Sequence, residues 1–201
     1  TVVDTLAPQI FTQDIIVYLD ANGEVSITPQ DIDAGSTDNC GIVSYSLDTT
    51  SFDCSNTGPN QVTLTLTDAS ANTSASTAIV TVVDATAPTA VCQNITLELD
   101  ASGNASISAQ DIDAGSYDNC AVGQIAINQT NFDCSTIGEN QVVFTITDAS
   151  GNSSSCTAMV TVVNNNVPVA ACQNITLQLD SNGVATITAA DLDGGSTLTC
   201  F

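Results

Sequence analysis

The sequence predicts an all-β fold, a tandem row of small β-sandwiches stapled by disulfides, and three observations predict it. Apolar residues alternate with a period of two, the chain repeats itself every 80 residues without a gap, and its eight cysteines are widely spaced. LDANGEVSI at 19–27 returns as LDASGNASI at 99–107 and LDSNGVATI at 179–187. SFDCSNTGPNQVTLTLTDASANTS at 51–74 returns as NFDCSTIGENQVVFTITDASGNSS at 131–154, and TAIVTVVD at 77–84 returns as TAMVTVVN at 157–164. The register divides the chain into the last strand of a preceding repeat (1–4), repeat 1 (5–84), repeat 2 (85–164) and the first half of repeat 3 (165–201). On this reading the chain is a segment of a longer array.

Within a repeat the strands follow in order. IIVYLD, EVSIT, IVSYSL, QVTLTLTD and STAIVTVV alternate or run apolar over four to eight residues and are rich in Val, Ile and Thr, which suit a half-buried pleated surface. DANG, DAGSTDNCG, SNTGPN and DASANTS separate them as turns. No segment shows a helical stripe. Six or seven short strands in 80 residues argue an Ig-like β-sandwich. DANGEVSITPQD (20–31) resembles an EF-hand loop through Asp20, Asn22, Glu24, Ile27 and Asp31. Its sixth position is Val25 where that loop needs Gly, so a hairpin turn is expected. Asn-x-Ser/Thr sequons stand at Asn72, Asn94, Asn104, Asn128, Asn152 and Asn174 and are a weak signal for glycosylation.

Composition narrows the function. The chain holds 22 acidic residues and no Lys, Arg or His, a formal charge of −22. Nucleic acid and anionic membrane surfaces need basic residues to meet their phosphates, so neither is an expected partner. Ser–His–Asp and Cys–His catalysis require a histidine, and with no deep cleft expected in an 80-residue sandwich the chain is read as not an enzyme. Zinc is disfavoured by the lack of His and of close Cys pairs. A Lys–Asn isopeptide cross-link is excluded, and no apolar run approaches the ~20 residues of a membrane helix.

Two expectations concern what holds the repeats. Repeat 1 has Thr12 and Ser76 where repeat 2 has Cys92 and Cys156, whereas Cys40 and Cys54 match Cys120 and Cys134. Cysteines that come and go together are most simply partners, so the pairs expected are Cys40–Cys54, Cys120–Cys134 and Cys92–Cys156. Cys172 and Cys200 would then pair beyond residue 201, or with each other. DIDAGSTDNC (31–40) returns as DIDAGSYDNC (111–120). Threading the strands brings Asp4, Asp31, Asp33, Asp38, Asn39 and Asp68 to one pole of repeat 1, and Asp84, Asp111, Asp113, Asp118, Asn119 and Asp148 to that of repeat 2. Calcium takes six to eight oxygens in forgiving geometry and is the cofactor this set suggests. The alternative is turn chemistry, in which Asp and Asn bond their own backbone. Asn164, Leu198 and Thr199 replace Asp–Asn positions in repeat 3, so any ion there should be weaker or absent.

DNCG at 38–41, FDC, G-x-N-Q-V-T-L-T-L-T-D-A-S at 58–70 and VTVVD at 80–84 are similar to the hyalin repeat, and DASGNSSSCTAMVTV at 148–162 is closer still. Repeat 1 departs from that pattern by lacking the second cysteine pair and by carrying Ala71 where repeat 2 has Gly151. The resemblance covers essentially the whole chain and looks most like the variant in long surface adhesins of Bacteroidota-type bacteria exported by the type IX route. It implies a cell-surface, extracellular location, adhesion or stalk duty, and no catalytic residues. The partners expected are neighbouring repeats of the same chain, other copies in a filament and surface glycans. An alternative function is a glycan- or ice-binding module acting through a sheet face, such as the Thr63, Thr65, Thr67 row, or through polar loops.

Overall fold

The computed structural model describes residues 3–200. Repeat 1 runs β1 (Ile15–Tyr18), β2 (Glu24–Ser26), α1 (Pro29–Ile32), β3 (Ile42–Leu47), β4 (Ser51–Asp53), a 3-10 turn (Cys54–Asn56), β5 (Gly58–Asp68) and β6 (Thr73–Val83). Repeat 2 gives the same order: β7 (Ile95–Glu98), β8 (Asn104–Ser106), α2 (Ala109–Ile112), β9 (Val122–Ile127), β10 (Asn131–Asp133), a 3-10 turn (Cys134–Thr136), β11 (Gly138–Asp148) and β12 (Ser153–Val163). In the third, α3 (Ala189–Leu192) is the named element. Each full repeat is a sandwich of a four-stranded sheet, β1-β6-β5-β3 or β7-β12-β11-β9, and a two-stranded one, β2-β4 or β8-β10.

The chain forms two compact units whose borders do not follow the repeats. The first comprises 1–89 with 116–124 and 146–154, and the second comprises 90–115, 125–145 and 155–201. Two polar loops of repeat 2 thus belong to the same unit as all of repeat 1.

The long strands make the core. Along β5, Val62, Leu64 and Leu66 are buried while Thr63, Thr65 and Thr67 are half-buried, the alternation a pleated strand imposes. Ala78, Val80 and Val82 of β6 join them, with Leu19, Ile27, Ile32 and Phe52 closing the cluster. Each such side chain contributes about 1.5–3 kcal/mol when fully buried. The corresponding buried set in repeat 2 includes Leu99, Ile112, Phe132, Val142, Phe144 and Ile146. Leu19 and Ile32 are 6% and 0% exposed, but Leu179 and Leu192 at the same register are 68% and 40% exposed. Residues 165–200 contain no counterpart of β5 and β6, the two strands that bury these positions.

Four expectations need correction. The 20–23 turn is tight, with Gly23 at φ 76°, but it is not a hairpin: β1 pairs in parallel with β6 and β2 with β4, so the turn carries the chain between sheets. Single-turn helices appear at α1, α2 and α3, too short to leave a stripe. Each begins with a capping box in which the Thr28 N–H and hydroxyl donate to the Asp31 carboxylate at 2.7 and 2.8 Å, repeated at Ser108/Asp111 and Thr188/Asp191. Of the strand expected at 1–4, residues 1 and 2 lie outside the described residues, and Val3 and Asp4 are not in a strand.

The disulfides hold the fourth correction. Cys92–Cys156 is present, but Cys54 pairs with Cys120 and Cys134 with Cys200, while Cys40 and Cys172 are free thiols. Joint presence in a repeat fits a partner in the next repeat as well as one in the same repeat. Geometry decides: Cys40 precedes β3, and Cys54 follows β4 where Asp53 pairs with Glu24 beside the 20–23 turn. The six residues of β3 put about 20 Å of strand between the two ends. The equivalent of Cys92–Cys156 in repeat 1 is a hydrogen bond between the Thr12 and Ser76 hydroxyls, 3.1 Å apart.

That contact makes a prediction. Thr12→Cys with Ser76→Cys should oxidise to a disulfide closing a loop of the Cys92–Cys156 size, stabilising repeat 1 by up to about 4 kcal/mol in the chain-entropy model. Denaturant titration with and without reductant measures the gain.

Candidate metal centre

The site is built by three turns. Asp4, Asp38 and Asp68 form one group and Asp84, Asp118 and Asp148 another, each residue contributing a carboxylate oxygen within 4.8 Å of the other two. In both groups one aspartate comes from the segment entering the repeat, one from the loop before β3 or β9, and one from the end of β5 or β11.

Local hydrogen bonds aim the carboxylates. The N–H groups of Cys40 and Gly41 donate to Asp38 Oδ2 at 2.8 and 2.9 Å, and those of Cys120 and Ala121 to Asp118 Oδ2 at 2.9 and 3.2 Å. Asp68 Oδ1 accepts from Ser70 N–H and Asn72 N–H, both at 2.8 Å. Asp4 Oδ1 accepts from Leu6 N–H at 3.1 Å and Asp84 Oδ1 from Thr86 N–H at 3.1 Å. The Leu6 N–H, followed by the Asn39 amide, holds the Asp4 carboxyl below its usual range. With one oxygen held by its turn, Asp118 turns Oδ1 inward, where it is buried and has no hydrogen-bond partner. The same is true of Asp4 Oδ2 and Asn119 Oδ1.

The electrostatics are one-sided. Asp68, Asp84 and Asp148 are 1%, 4% and 5% exposed. Two unit charges about 5 Å apart repel by roughly 3 kcal/mol at an effective dielectric near 20, and no basic residue exists to offset this. Carboxylate and amide oxygens can only accept, so such a group is matched by hydrogen-bond donors or a cation and not by more of its own kind. The donor set is all oxygen, the chemistry of a hard divalent ion, and calcium fits it by ligand number and tolerance. Asp4, Asp38 and Asp68 with Asn39, and Asp84, Asp118 and Asp148 with Asn119, are the residues that would hold it.

The remaining expected ligands go elsewhere. Asp31 and Asp111 are taken by their capping boxes, which hold them below the usual carboxylate range through Thr28 and Ser108. Asp33 accepts from Ser36 N–H at 3.0 Å and Asp113 from Gly115 N–H at 3.2 Å. These four are turn-forming residues because their own backbone satisfies them, and they lie outside both three-aspartate groups. Asn39 donates to Asp4 Oδ1 at 3.3 Å, and Asn119 donates to Asp20 O at 3.0 Å and Asp84 Oδ1 at 3.4 Å.

Sequence reading missed Asn72 and Asn152. Asn72 donates to Asp68 Oδ2 at 2.7 Å and Asp4 O at 3.2 Å, and Asn152 to Asp148 Oδ2 at 2.8 Å and Asp84 O at 3.1 Å. The signal was an Asn four residues after each aspartate, but it was read as a glycosylation sequon. The third repeat has a neutral version, with Asn164 donating to Thr199 O at 2.8 Å.

No family model matches the chain, and no curated protein matches it. Among solved structures it is similar to protocadherin gamma B7 extracellular cadherin domains 1–4, with TM-score 0.37 and 14% identity over 86% of this chain and 55% of that one. It is also similar to protocadherin gamma C5 EC1–3 (0.39, 12%, 78% and 68%) and to human mucin-like protocadherin EC1–2 (0.37, 10%, 78% and 98%). The chain thus spans about half the length of the first of these. Likeness at this level carries no functional weight, and the reading below stands on the residues of the chain itself.

The site also predicts a thiol reactivity. A hydrogen bond to Asp4, then burial and the charges of Asp4, Asp38 and Asp68, push the Cys40 thiol up. In chelator, Cys40 should alkylate several-fold more slowly than an ordinary cysteine at pH 8, and Asp4→Asn should restore the rate, as peptide mapping of the labelled protein would show.

Proposed function

We propose that the chain is a structural segment of an extracellular, cell-surface adhesin stalk or filament, stiffened by calcium held at the two three-aspartate groups. The observation that carries this is the set of buried acceptor oxygens with no donor, on Asp4, Asp118 and Asn119, beside clustered carboxylates in a chain without a cation. The disulfides support an oxidising compartment, and among the described residues no helix is long and apolar enough to cross a membrane. The hyalin-repeat resemblance supports the bacterial surface location and type IX export. The chain acts by holding position and not by catalysis, and its partners are neighbouring repeats, other copies and, at the end of the array, surface glycans.

Asp84 lies at the end of repeat 1, while Asp118 and Asp148 belong to repeat 2, so an ion there would fasten consecutive repeats. At free calcium 100-fold above Kd, one site adds about 2.7 kcal/mol, which for a chain of this size raises Tm by roughly 5–10 °C. Calorimetric titration should find two calcium ions per chain, falling to one in Asp118→Asn/Asp148→Asn. Melting and X-ray scattering profiles that EDTA leaves unchanged would overturn the proposal.

A further inference from the structure

The disulfides form a ladder along the sequence. Cys54–Cys120 and Cys134–Cys200 each span 66 residues, with Cα atoms 5.4 and 5.2 Å apart. They occupy the same register one repeat apart, each joining the 3-10 turn of one repeat to the loop before β3 of the next, or its equivalent. Between the end of one bond and the start of the next lie only the residues from Cys120 to Cys134.

We propose that this ladder is a covalent load path that makes the array nearly inextensible. Tension entering at Cys54 crosses to Cys120, runs along the backbone through β9 and β10 to Cys134 and crosses to Cys200. That route, fully stretched, is about 60 Å, against about 500 Å for the backbone between the same two residues. Most of each 80-residue repeat, including β5, β6, β11 and β12 with their core residues, lies in loops that the bonds bypass, so pulling cannot draw those strands out end to end. Cys92 lies inside one bypassed loop and Cys156 inside the next. Their bond therefore staples the repeat and carries no load while the ladder is intact. The use of such a path rests on the stalk reading, because only a tether under tension needs one; the path itself depends on connectivity and not on calcium.

Single-molecule stretching of the full chain between non-thiol handles fused to its two ends tests this. The oxidised protein should reach a ceiling of about 240 Å, and a reductant should release it to about 680 Å. Cys92→Ser/Cys156→Ser should keep the lower ceiling. Cys54→Ser/Cys120→Ser should raise it to about 400 Å, the Cys92–Cys156 bond then becoming part of the shortest route. Because the reading is a final length, a variant that folds poorly still reports it. An oxidised chain as long as the reduced one, or a ceiling that rises when only Cys92 and Cys156 are removed, overturns the proposal. The same lengths are expected in EDTA, so loss of the calcium effect would sink stiffening at the junctions and leave the load path standing.

Discussion

A chain with 22 acids and no base has no internal means of neutralising charge. Ordinary surfaces disperse carboxylates among lysines and arginines. Here most aspartates are spent singly, each accepting from the backbone of its own turn, as Asp20 does from Asn22 and Glu24 and Asp53 from Ser55. Those turns cost nothing in mutual repulsion because the charges stay apart. The two groups of three are different. There the turns fix one oxygen of each carboxylate, and Asn72 and Asn152 also hold Asp68 Oδ2 and Asp148 Oδ2. Asp4 Oδ2 and Asp118 Oδ1 are left buried without a donor, so the loops that shape the site also gather its charge. The rest of the fold serves this arrangement by ending β5 and β11 at Asp68 and Asp148 and beginning β3 and β9 just after Asp38 and Asp118.

The third repeat shows what the same backbone does when that charge is absent. Asn164 replaces the entering aspartate and donates to Thr199 O, and Thr199 Oγ1 donates to Ala101 O at 2.9 Å, a direct bond in place of an acidic cluster. One substitution series thus separates the two ways of closing a junction, by neutral hydrogen bonds or by gathered charge. Gly103 stays in both settings for a steric reason. Its φ is 78°, and a Cβ there would stand 2.8 Å from Cys134 Sγ, as one on Gly23 would stand 2.6 Å from Cys54 Sγ.

The sandwich class was legible because period-two alternation and turn residues are local signals, and the 80-residue identity copied them twice. Asp4, Asp38 and Asp68 could be gathered because strand direction alone sends three turns to one pole. Asp31 and Asp33 could not be told apart from them, since a capping box and a ligand loop use the same residue types, and only the position of Thr28 three residues before Asp31 separated the cases. The disulfide partners failed for a deeper reason. In a periodic sequence, a pair within one repeat and a pair between successive repeats leave the same pattern of presence and absence. The Thr12–Ser76 hydrogen bond is the one substitution that did discriminate, because both halves of a true partnership changed together and still touch.

The tripeptide Asp118-Asn119-Cys120 joins the ionic and covalent parts of the argument. Its aspartate enters the acidic group, its asparagine amide bonds Asp20 O, and its cysteine bonds Cys54. In repeat 3 the same three positions read Leu198-Thr199-Cys200: the acid and the amide are gone, and the cysteine still pairs with Cys134. In repeat 1 the same three positions read Asp38-Asn39-Cys40. At the repeat 3 position the covalent half therefore occurs without the acidic one. The bond closes a loop whose entropy is worth about 4 kcal/mol whatever the solvent, whereas the acidic group, on the proposed reading, would respond to the concentration of a dissolved ion. On the two proposals made above, a junction built of both would have a fixed maximum length and an adjustable stiffness, and the two properties could be altered separately by changing neighbouring residues in one loop.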